Sequence, residues 1–239
     1  IGEEPVHAGI KIVGSHIDSP RLDIKANPVH EQDGIVYFRT HYYGGIKKYQ
    51  WTCIPLALIG VVYTKDGKKV DINIGLKDDD PIFYVSDLLI HMAQDQMKKT
   101  LAEGITGEQL QAIAGTNAEE DLKPKEVFMK MLKDTYGIEE EDFAAAELEL
   151  VPATKSRDVG FDRSLIASYG QDDRVCSYAN LEAILQAKPG VKTQAALLTD
   201  KEEIGSYGNT GMESSYFVKF VMKLLSLQGK NTILDFYET

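Results

Sequence analysis

The chain has 239 residues, of which 43% are hydrophobic and 26% are charged, a balance typical of a globular protein with one or two domains. The 37 Asp and Glu residues against 26 Lys and Arg give a net charge of −11, which argues against a protein that coats nucleic acid or anionic lipid. The apolar run 54–63 is too short and too interrupted to span a bilayer. The two cysteines are too few for a disulfide framework, so we predict a cytoplasmic protein. From the charge and the short apolar run we predict no nucleic-acid and no membrane partner.

The first third of the sequence has the alternating apolar pattern of β-strands. We predict strands over 7–14, 21–27, 35–41, 56–63 and 69–74. In the middle, we predict helices over 87–101, capped by Ser86, and over 125–136, stopped by Gly137. The stretch 104–125 lacks periodicity and is expected to be irregular, and 146–152 alternates as a further strand.

The last part alternates between helix and strand, as α/β proteins do. We predict a helix over 174–187 with Val175, Leu181, Ile184 and Leu185 on its apolar face, then a strand over 193–199 and a helix over 214–227. The organisation indicates an α/β layer over 1–24 and 157–239 that is interrupted by a β-rich insertion over 25–156. The chain begins at Ile1 without an initiator methionine or a signal peptide, so we expect an internal piece of a longer protein.

Three short motifs place potential metal ligands at predicted strand ends or helix starts, where α/β sheets carry their sites. In the first motif, His16 offers a ring nitrogen to a metal and Asp18 holds the other ring N–H. The alternative for this motif is a capped turn with an incidental histidine.

The second motif is the pair Asp172 and Asp173 at a helix start. One carboxylate there is usually an N-cap, but only one acid of a pair caps, and the other is free to bridge two cations. The third motif is the pair Glu202 and Glu203. Its alternative is a solvated loop, and its functional interpretation gives one glutamate to a metal and the other to metal-bound water. One imidazole and several carboxylates suit zinc, manganese or cobalt.

Four segments, in this order, resemble the aspartyl aminopeptidase / vacuolar aminopeptidase I family of cocatalytic metallopeptidases, and its bacterial branch in particular. They are the segment 14–23 (GSHIDSPRLD), Tyr-Gly-Gly at 43–45 with Trp51 and the segment 55–58 (PLAL), the segment 171–174 (QDDR), and the segment 200–206 (DKEEIGS). The resemblance covers nearly the whole chain. It implies a zinc-aminopeptidase (phosphorylase/hydrolase-like) catalytic domain with a central mixed sheet, interrupted by the β-rich insertion.

The resemblance also implies roles for the site residues. His16 matches a ligand of one metal, Asp172 the carboxylate that bridges both metals, and Glu203 a ligand of the second metal. Glu202 matches the general base, and Asp18 matches the acid that orients the histidine. Asp173 would follow the bridging acid across an unusual peptide bond. The cofactors implied are two divalent ions, zinc first and manganese or cobalt as alternatives.

The family removes single residues from the N-termini of peptide substrates, and its insertion mediates assembly into a homo-oligomer, a tetrahedral dodecamer. A histidine of the insertion reaches toward a neighbour's active site, and we predict His91 for this role. The alternative for His91 is a packed histidine on an apolar helix.

The sequence departs from the family pattern in one respect. The pattern needs a further aspartate and a late histidine as ligands, whereas the 36 residues after Glu203 contain no histidine. Asp235 does not match the expected motif and is predicted to lie on a helix or strand surface. We therefore expect this piece alone to bind metal poorly and to be inactive.

Two competing functions stay open at this point. A related two-metal deacylase or carboxypeptidase shares the His-x-Asp and Glu-Glu motifs, but the Tyr-Gly-Gly and Trp51 segment is not expected there. A decayed peptidase would persist as an oligomeric scaffold without stoichiometric metal.

Overall fold

The computed structural model describes residues 1–119, 121–230 and 236. The strands of this part are, in chain order, β1 (Ile10–His16), β2 (Arg21–Gln32), β3 (Ile35–Tyr43), β4 (Pro55–Tyr63), β5 (Lys69–Ile74), β6 (Phe83–Tyr84), β7 (Ala112–Gly115), β8 (Ala146–Pro152), β9 (Arg157–Val159), β10 (Leu165–Ala167) and β11 (Thr193–Thr199). Its α-helices are α1 (Leu101–Gly104), α2 (Pro124–Tyr136), α3 (Gln171–Gln186) and α4 (Tyr216–Leu227). None of the helices in the described residues is long and apolar enough to cross a membrane.

The chain divides into two compact units. The α/β unit consists of Ile1–Ser19 and Gly170–Thr239, and the β unit consists of Pro20–Tyr169. The sequence patterns predict boundaries at 24/25 and 156/157, and the roles of the two units in catalysis and assembly stay predictions. In its coarse form the predicted fold class is confirmed, since the chain combines an α/β unit with a β-rich one.

The α/β unit is built on a parallel pair of strands. β1 and β11 run side by side from Ile10 opposite Thr193 to His16 opposite Thr199, so both strands end at the same edge. α3 lies against both strands. On α4, Val221 and Leu225 are buried together with Val6 in a small apolar core. The parallel pairing places whatever follows His16 beside whatever follows Thr199.

The β unit is a sheet that closes on itself. Its strands follow the order β5-β4-β6-β7-β3-β2-β8, and β8 pairs back onto β4 over Leu56–Val62. Phe38 on β3 lies at the centre of the core, with its ring near those of Phe83, Phe128 and Phe143. Closure through β4 and β8 leaves β5, which pairs only with β4, as an edge strand of the sheet.

Most predicted elements of the β unit are confirmed. The predicted strand over 69–74 coincides with β5, and the predicted helix over 125–136 is α2, which ends at Gly137 in the left-handed conformation. Proline at the first position of α2 and glycine after its last turn are the expected start and stop signals. The predicted irregular stretch contains a short strand, β7, which joins the sheet between β6 and β3.

The predicted helix over 87–101 is wrong. Only Gln96–Lys98 and α1 are helical there, as one short 3-10 turn and one α-turn. The apolar side chains expected on its buried face are exposed, among them Leu89 at 70% and Met92 at 70%. An amphipathic helix is stabilised by the surface that covers its apolar side. Because that surface is not formed within the β unit here, the apolar spacing alone does not produce a helix.

A substitution of Gly60 on β4 tests the close approach of β4 and β8. Its φ of +133° is a left-handed conformation, and an added Cβ would overlap the carbonyl oxygen of Glu147 on β8. We expect Gly60→Ala to lower the free energy of unfolding by roughly 2–4 kcal/mol, measured by urea denaturation. Gly67, with φ of +81° and open space around it, is the matched control, and Gly67→Ala costs about 1 kcal/mol. Equal losses for the two variants would contradict the close approach of β4 and β8.

Candidate metal centre

The candidate site lies at the edge where β1 and β11 end. The Ile17 N–H donates to the carbonyl oxygen of Thr199 at 2.9 Å, and the Thr199 hydroxyl donates to the carbonyl of Ser15 at 3.3 Å. These bonds continue the strand pairing past the last ladder position. The His-x-Asp motif and the Glu-Glu motif therefore leave the sheet side by side.

The carboxylate of Asp18 joins the two motifs. Its side chain is 1% exposed, and it accepts the backbone N–H groups of Glu202 and Glu203, each at 3.2 Å. A buried carboxylate is costly unless hydrogen bonds compensate its lost hydration, and these two donors do so. The short 3-10 turn Glu202–Ile204 is thereby held against the loop that follows β1.

His16 is oriented by the same residue. Its Nδ1 lies 3.1 Å from the backbone carbonyl of Asp18 and 3.3 Å from the Asp18 carboxylate. Both partners only accept hydrogen bonds, so we assign a ring hydrogen to Nδ1. Nε2 faces Asp172 Oδ1 at 3.1 Å and Glu202 Oε2 at 3.7 Å. A neutral histidine in this tautomer offers Nε2 to a metal.

Acidic groups dominate the electrostatics around His16. Burial by itself lowers the pKa of His16, but the backbone carbonyl of Asp18 and the surrounding carboxylates outweigh it and raise that pKa. Burial also raises the pKa of Glu203, and the nearby Asp172 carboxylate raises it further. Carboxylates this close repel one another, and a cation between them would relieve that repulsion.

The two adjacent aspartates at the start of α3 have different surroundings. Asp173 accepts the backbone N–H of Cys176 at 3.2 Å, and hydrogen bonding from Cys176 lowers the pKa of Asp173. Asp172 has an 86% exposed side chain that faces His16, and its backbone carbonyl accepts the Ser19 hydroxyl at 3.1 Å. The peptide bond between the two aspartates is cis. One acid thus caps the helix while the other lies at the cluster.

The donor set fits a zinc site. Among the described residues, His16, Glu202 and Glu203 each offer a ligand atom, and these atoms lie within 4.8 Å of one another. Asp172 lies outside that group of three but approaches His16 directly. One imidazole and several carboxylates at this spacing match zinc, which binds nitrogen and oxygen ligands in a compact shell.

The structure brings together five of the residues singled out from the sequence: His16, Asp18, Asp172, Glu202 and Glu203. His91 lies in an exposed turn of the β unit. The apolar helix expected around His91 is also absent from the described residues there. Asp235 lies outside the described residues.

Sequence reasoning missed the polar face of α3. The buried residues of this helix are Ser177 and Asn180, whereas Val175, Leu181 and Leu185, predicted as its buried face, are exposed. The physical reason is that the helix lies over strand carbonyls and hydroxyls, which require hydrogen-bond partners. The signal in the sequence was the spacing of Ser177 and Asn180, which places both on one helix face.

Comparison with known proteins points to one family. A sequence model of the family described as aminopeptidase I zinc metalloprotease (M18) matches residues 1–238. A probable M18 family aminopeptidase 1 of Clostridium acetobutylicum is 51% identical over 233 residues, which are 96% of this chain and 50% of that protein. The chain thus spans about half the length of the curated relatives it matches.

Solved structures agree with the sequence match. The crystal structure of an M18 family aminopeptidase from Thermotoga maritima has a TM-score of 0.93 and 46% identity, covering 98% of this chain and 52% of that one. Aminopeptidase I from Clostridium acetobutylicum has a TM-score of 0.91 and 45% identity, with 99% and 52% covered. The Saccharomyces cerevisiae mApe1 dodecamer, at 18% identity and a TM-score of 0.65, covers 93% of this chain and 50% of that one and shares the fold.

Replacing Asp18 tests whether it organises metal binding. Asp18→Asn keeps the shape but sets an amide NH₂ against one of the two backbone N–H donors. We expect the zinc dissociation constant of the whole protein to rise about 10–100-fold, measured by competition with a chromophoric chelator.

Asp142 is the matched control for this variant. It is also buried, and it accepts two backbone N–H groups, from Lys65 at 3.0 Å and Glu139 at 2.8 Å, but within the β unit. Asp142→Asn should lower the melting temperature and leave zinc affinity unchanged. Equal zinc affinity in Asp18→Asn and the unaltered protein would contradict the role of Asp18.

Proposed function

The chain belongs to the M18 family of zinc aminopeptidases, and we propose that it forms part of a two-metal aminopeptidase that removes N-terminal residues from peptides. Because the chain spans about half of its curated relatives, the activity is proposed for the whole protein. The observation that carries the proposal is the convergence of His16, Asp172 and the Glu202–Glu203 pair at one edge of the parallel strands.

We assign the metal ligands of this chain to His16, Asp172 and Glu203. The Nε2 of His16 faces the carboxylate cluster, which supports its role, and the exposed carboxylate of Asp172, 3.1 Å from that nitrogen, supports a position shared between two ions. When bound, zinc ions lower the pKa of a water molecule and polarise the carbonyl of the scissile peptide bond. The family resemblance assigns one further aspartate and one further histidine to the centre, and manganese and cobalt are the alternative metals.

Glu202 is the proposed general base. Its carboxylate is 56% exposed and lies 3.7 Å from His16 Nε2, so it borders the cluster while remaining open to solvent. In this role a Glu202 oxygen accepts a proton from the attacking water and later delivers it to the leaving amine. The Asp18 carboxylate holds the Glu202 backbone N–H, and this bond limits where the Glu202 side chain reaches.

Charge favours a substrate that presents a free amino terminus. The cluster is surrounded by carboxylates, and the chain carries a net charge of −11. An ammonium group is attracted to such a site, whereas the carboxylate end of a peptide is repelled from it. This preference fits removal of residues from the N-terminus.

The β unit is proposed to mediate assembly into a homo-oligomer. Leu88, Leu89 and Ile90 are consecutive exposed apolar residues of this unit, and Met92 follows. Exposed apolar patches of this kind mark contact surfaces between proteins. One structure with the same fold is a dodecamer, and we propose that His91, within the apolar segment, reaches a neighbour's active site.

Glu202→Gln tests the proposed base. The amide does not accept the proton, so we expect kcat on aminoacyl p-nitroanilides to fall at least 100-fold while bound zinc is unchanged. Glu213, an exposed acid that also follows β11, is the control, and Glu213→Gln should keep full activity. A Glu202→Gln protein with full activity would remove Glu202 from the role of base.

The choice of substrate separates the competing functions. An aminopeptidase hydrolyses aminoacyl p-nitroanilides and leaves N-acetyl amino acids intact, whereas a deacylase does the reverse. Turnover of acylated substrates alone would overturn the proposal. A whole protein without stoichiometric zinc and without turnover of either class would indicate a scaffold.

Variants of the apolar segment test assembly. Leu89→Asp with Ile90→Asp should lower both the assembly mass, measured by light scattering, and kcat. His91→Ala should keep the assembly mass and lower kcat about tenfold. Met131, an exposed apolar residue on α2 of the same unit, is the control, and Met131→Asp should change neither quantity. An unchanged assembly in the double variant would place the contact elsewhere.

A further inference from the structure

α3 contacts the strands of the α/β unit through polar side chains. Ser177 is 8% exposed and Asn180 is 4% exposed, and the two lie on the same face of the helix. Buried serine and asparagine residues cost free energy unless their hydrogen bonds are satisfied. Their hydrogen-bond partners show which parts of the α/β unit this helix face contacts.

Asn180 connects the helix to both strands at once. Its Nδ2 lies 3.1 Å from the carbonyl of Val13 on β1, 3.2 Å from the carbonyl of Leu197 on β11 and 3.2 Å from the hydroxyl of Ser15. Carbonyl oxygens only accept, so the amide nitrogen must face them and the side-chain oxygen turns away. That oxygen is buried without a hydrogen-bond partner in the described residues. The helix thus tolerates one unsatisfied acceptor in order to bond both strands.

Ser177 extends these contacts to the candidate metal ligand. Its hydroxyl donates to the backbone carbonyl of His16 at 2.8 Å and lies 3.1 Å from the hydroxyl of Ser15. A hydroxyl has a single hydrogen, and that of Ser177 is used on His16. Ser15 therefore donates to Ser177, while the two hydrogens of the Asn180 amide serve the carbonyls of Val13 and Leu197. The hydroxyl bonds form one directed chain from Ser15 through Ser177 to the carbonyl of His16.

This chain sets the position of α3 along β1. Moving a helix by one residue along its axis displaces every group on it by about 1.5 Å, and apolar contacts tolerate such a shift more readily than hydrogen bonds do. Metal–ligand distances hold to within about 0.2 Å. The Asp172 side chain at the start of α3 is 86% exposed, so packing does not hold it in place. Asp172 and Asp173 have non-helical dihedral angles, so they lead into the regular helix, and the distance from Asp172 to His16 depends on where that helix anchors the segment.

We propose that Ser177 and Asn180 are positioning residues of the metal centre, which bond α3 to the ends of β1 and β11 and so keep Asp172 at ligand distance from the metal that His16 binds. The inference rests on the proposed zinc centre. The hydrogen bond from Ser19 to the Asp172 carbonyl acts in the same direction, from the loop after β1.

Ser177→Ala in the whole protein tests the proposal, because it removes the hydroxyl and adds no atoms that the surrounding residues would have to accommodate. The zinc dissociation constant, measured by chelator competition, should rise about 10–100-fold. At saturating zinc, kcat should recover and KM should stay unchanged, since the variant alters metal retention and no group that touches the substrate. A merely structural role would lower the melting temperature of the metal-free protein without changing zinc affinity.

Thr40→Val is the matched control. Thr40 is also buried, and its hydroxyl also donates to a backbone carbonyl, that of Leu110, but within the β unit. The control should lower the metal-free melting temperature as Ser177→Ala does and leave the zinc dissociation constant within twofold. A zinc constant for Ser177→Ala within twofold of the unaltered protein, or shifted only as far as in Thr40→Val, overturns the proposal.

Ser15→Ala provides a second variant in case Ser177→Ala does not fold. It removes the first donor of the same chain and leaves the bond between Ser177 and His16, so the zinc dissociation constant should rise at least threefold. An unchanged constant in Ser15→Ala overturns the directed chain. If the unaltered protein binds no zinc, the proposed function fails together with this inference. If it binds zinc and the variants bind equally well, this inference alone fails.

Discussion

The structure of the site depends on one buried carboxylate. Asp18 accepts two backbone N–H groups from residues 184 and 185 positions away in the sequence, and it also holds the Nδ1 side of His16. Removing such a charge from water is unfavourable, and only donors fixed by the surrounding backbone compensate for it. The loop after β1 and the turn after β11 are therefore stable in one another's presence. The Asp18 side chain thus links the orientation of the histidine to the position of the glutamate pair.

The same arrangement leaves a negatively charged site in which a metal ion would bind. Compensation of the Asp18 charge comes from backbone N–H groups, so it leaves the other carboxylates around His16 without a compensating cation. The raised pKa of His16 reflects that charge, and the pKa of Glu203 is raised first by burial and then by the nearby Asp172 carboxylate. A divalent cation satisfies these groups better than protons do, since it interacts with several carboxylates at once. The centre is organised for a cation before any substrate arrives.

Local pattern predicted the strands well and the surfaces of helices poorly. β5 and β11 have the bounds predicted from the sequence, 69–74 and 193–199. The helix expected over 87–101 did not form, and the buried face of α3 is polar. Helix formation and the polarity of a buried helix face both depend on the elements packed against the helix, and the spacing of apolar residues does not identify those elements.

The candidate site was accessible to sequence reasoning for a related reason. Its residues follow strand ends, and ends of parallel strands meet at one edge. The sequence also indicated that only one acid of the Asp172 and Asp173 pair would cap α3, and the hydrogen bond from Cys176 to Asp173 agrees with this. Ser177 and Asn180 were not identified, because such residues on a helix are most often exposed. Their importance appears only when the strand carbonyls beneath them are known.

The nested layout explains how this site tolerates a large insertion. The chain leaves the α/β unit after Ser19 and returns at Gly170. The Ser19 hydroxyl donates to the carbonyl of Asp172, and Arg174 reaches the Ser19 hydroxyl at 3.4 Å, so the two ends of the gap are bonded to each other. Pairing of β8 with β4 closes the inserted sheet on its own strands. Ligand geometry is thus set by bonds inside the α/β unit, and the β unit is left free to change its surface without moving His16 or Asp172.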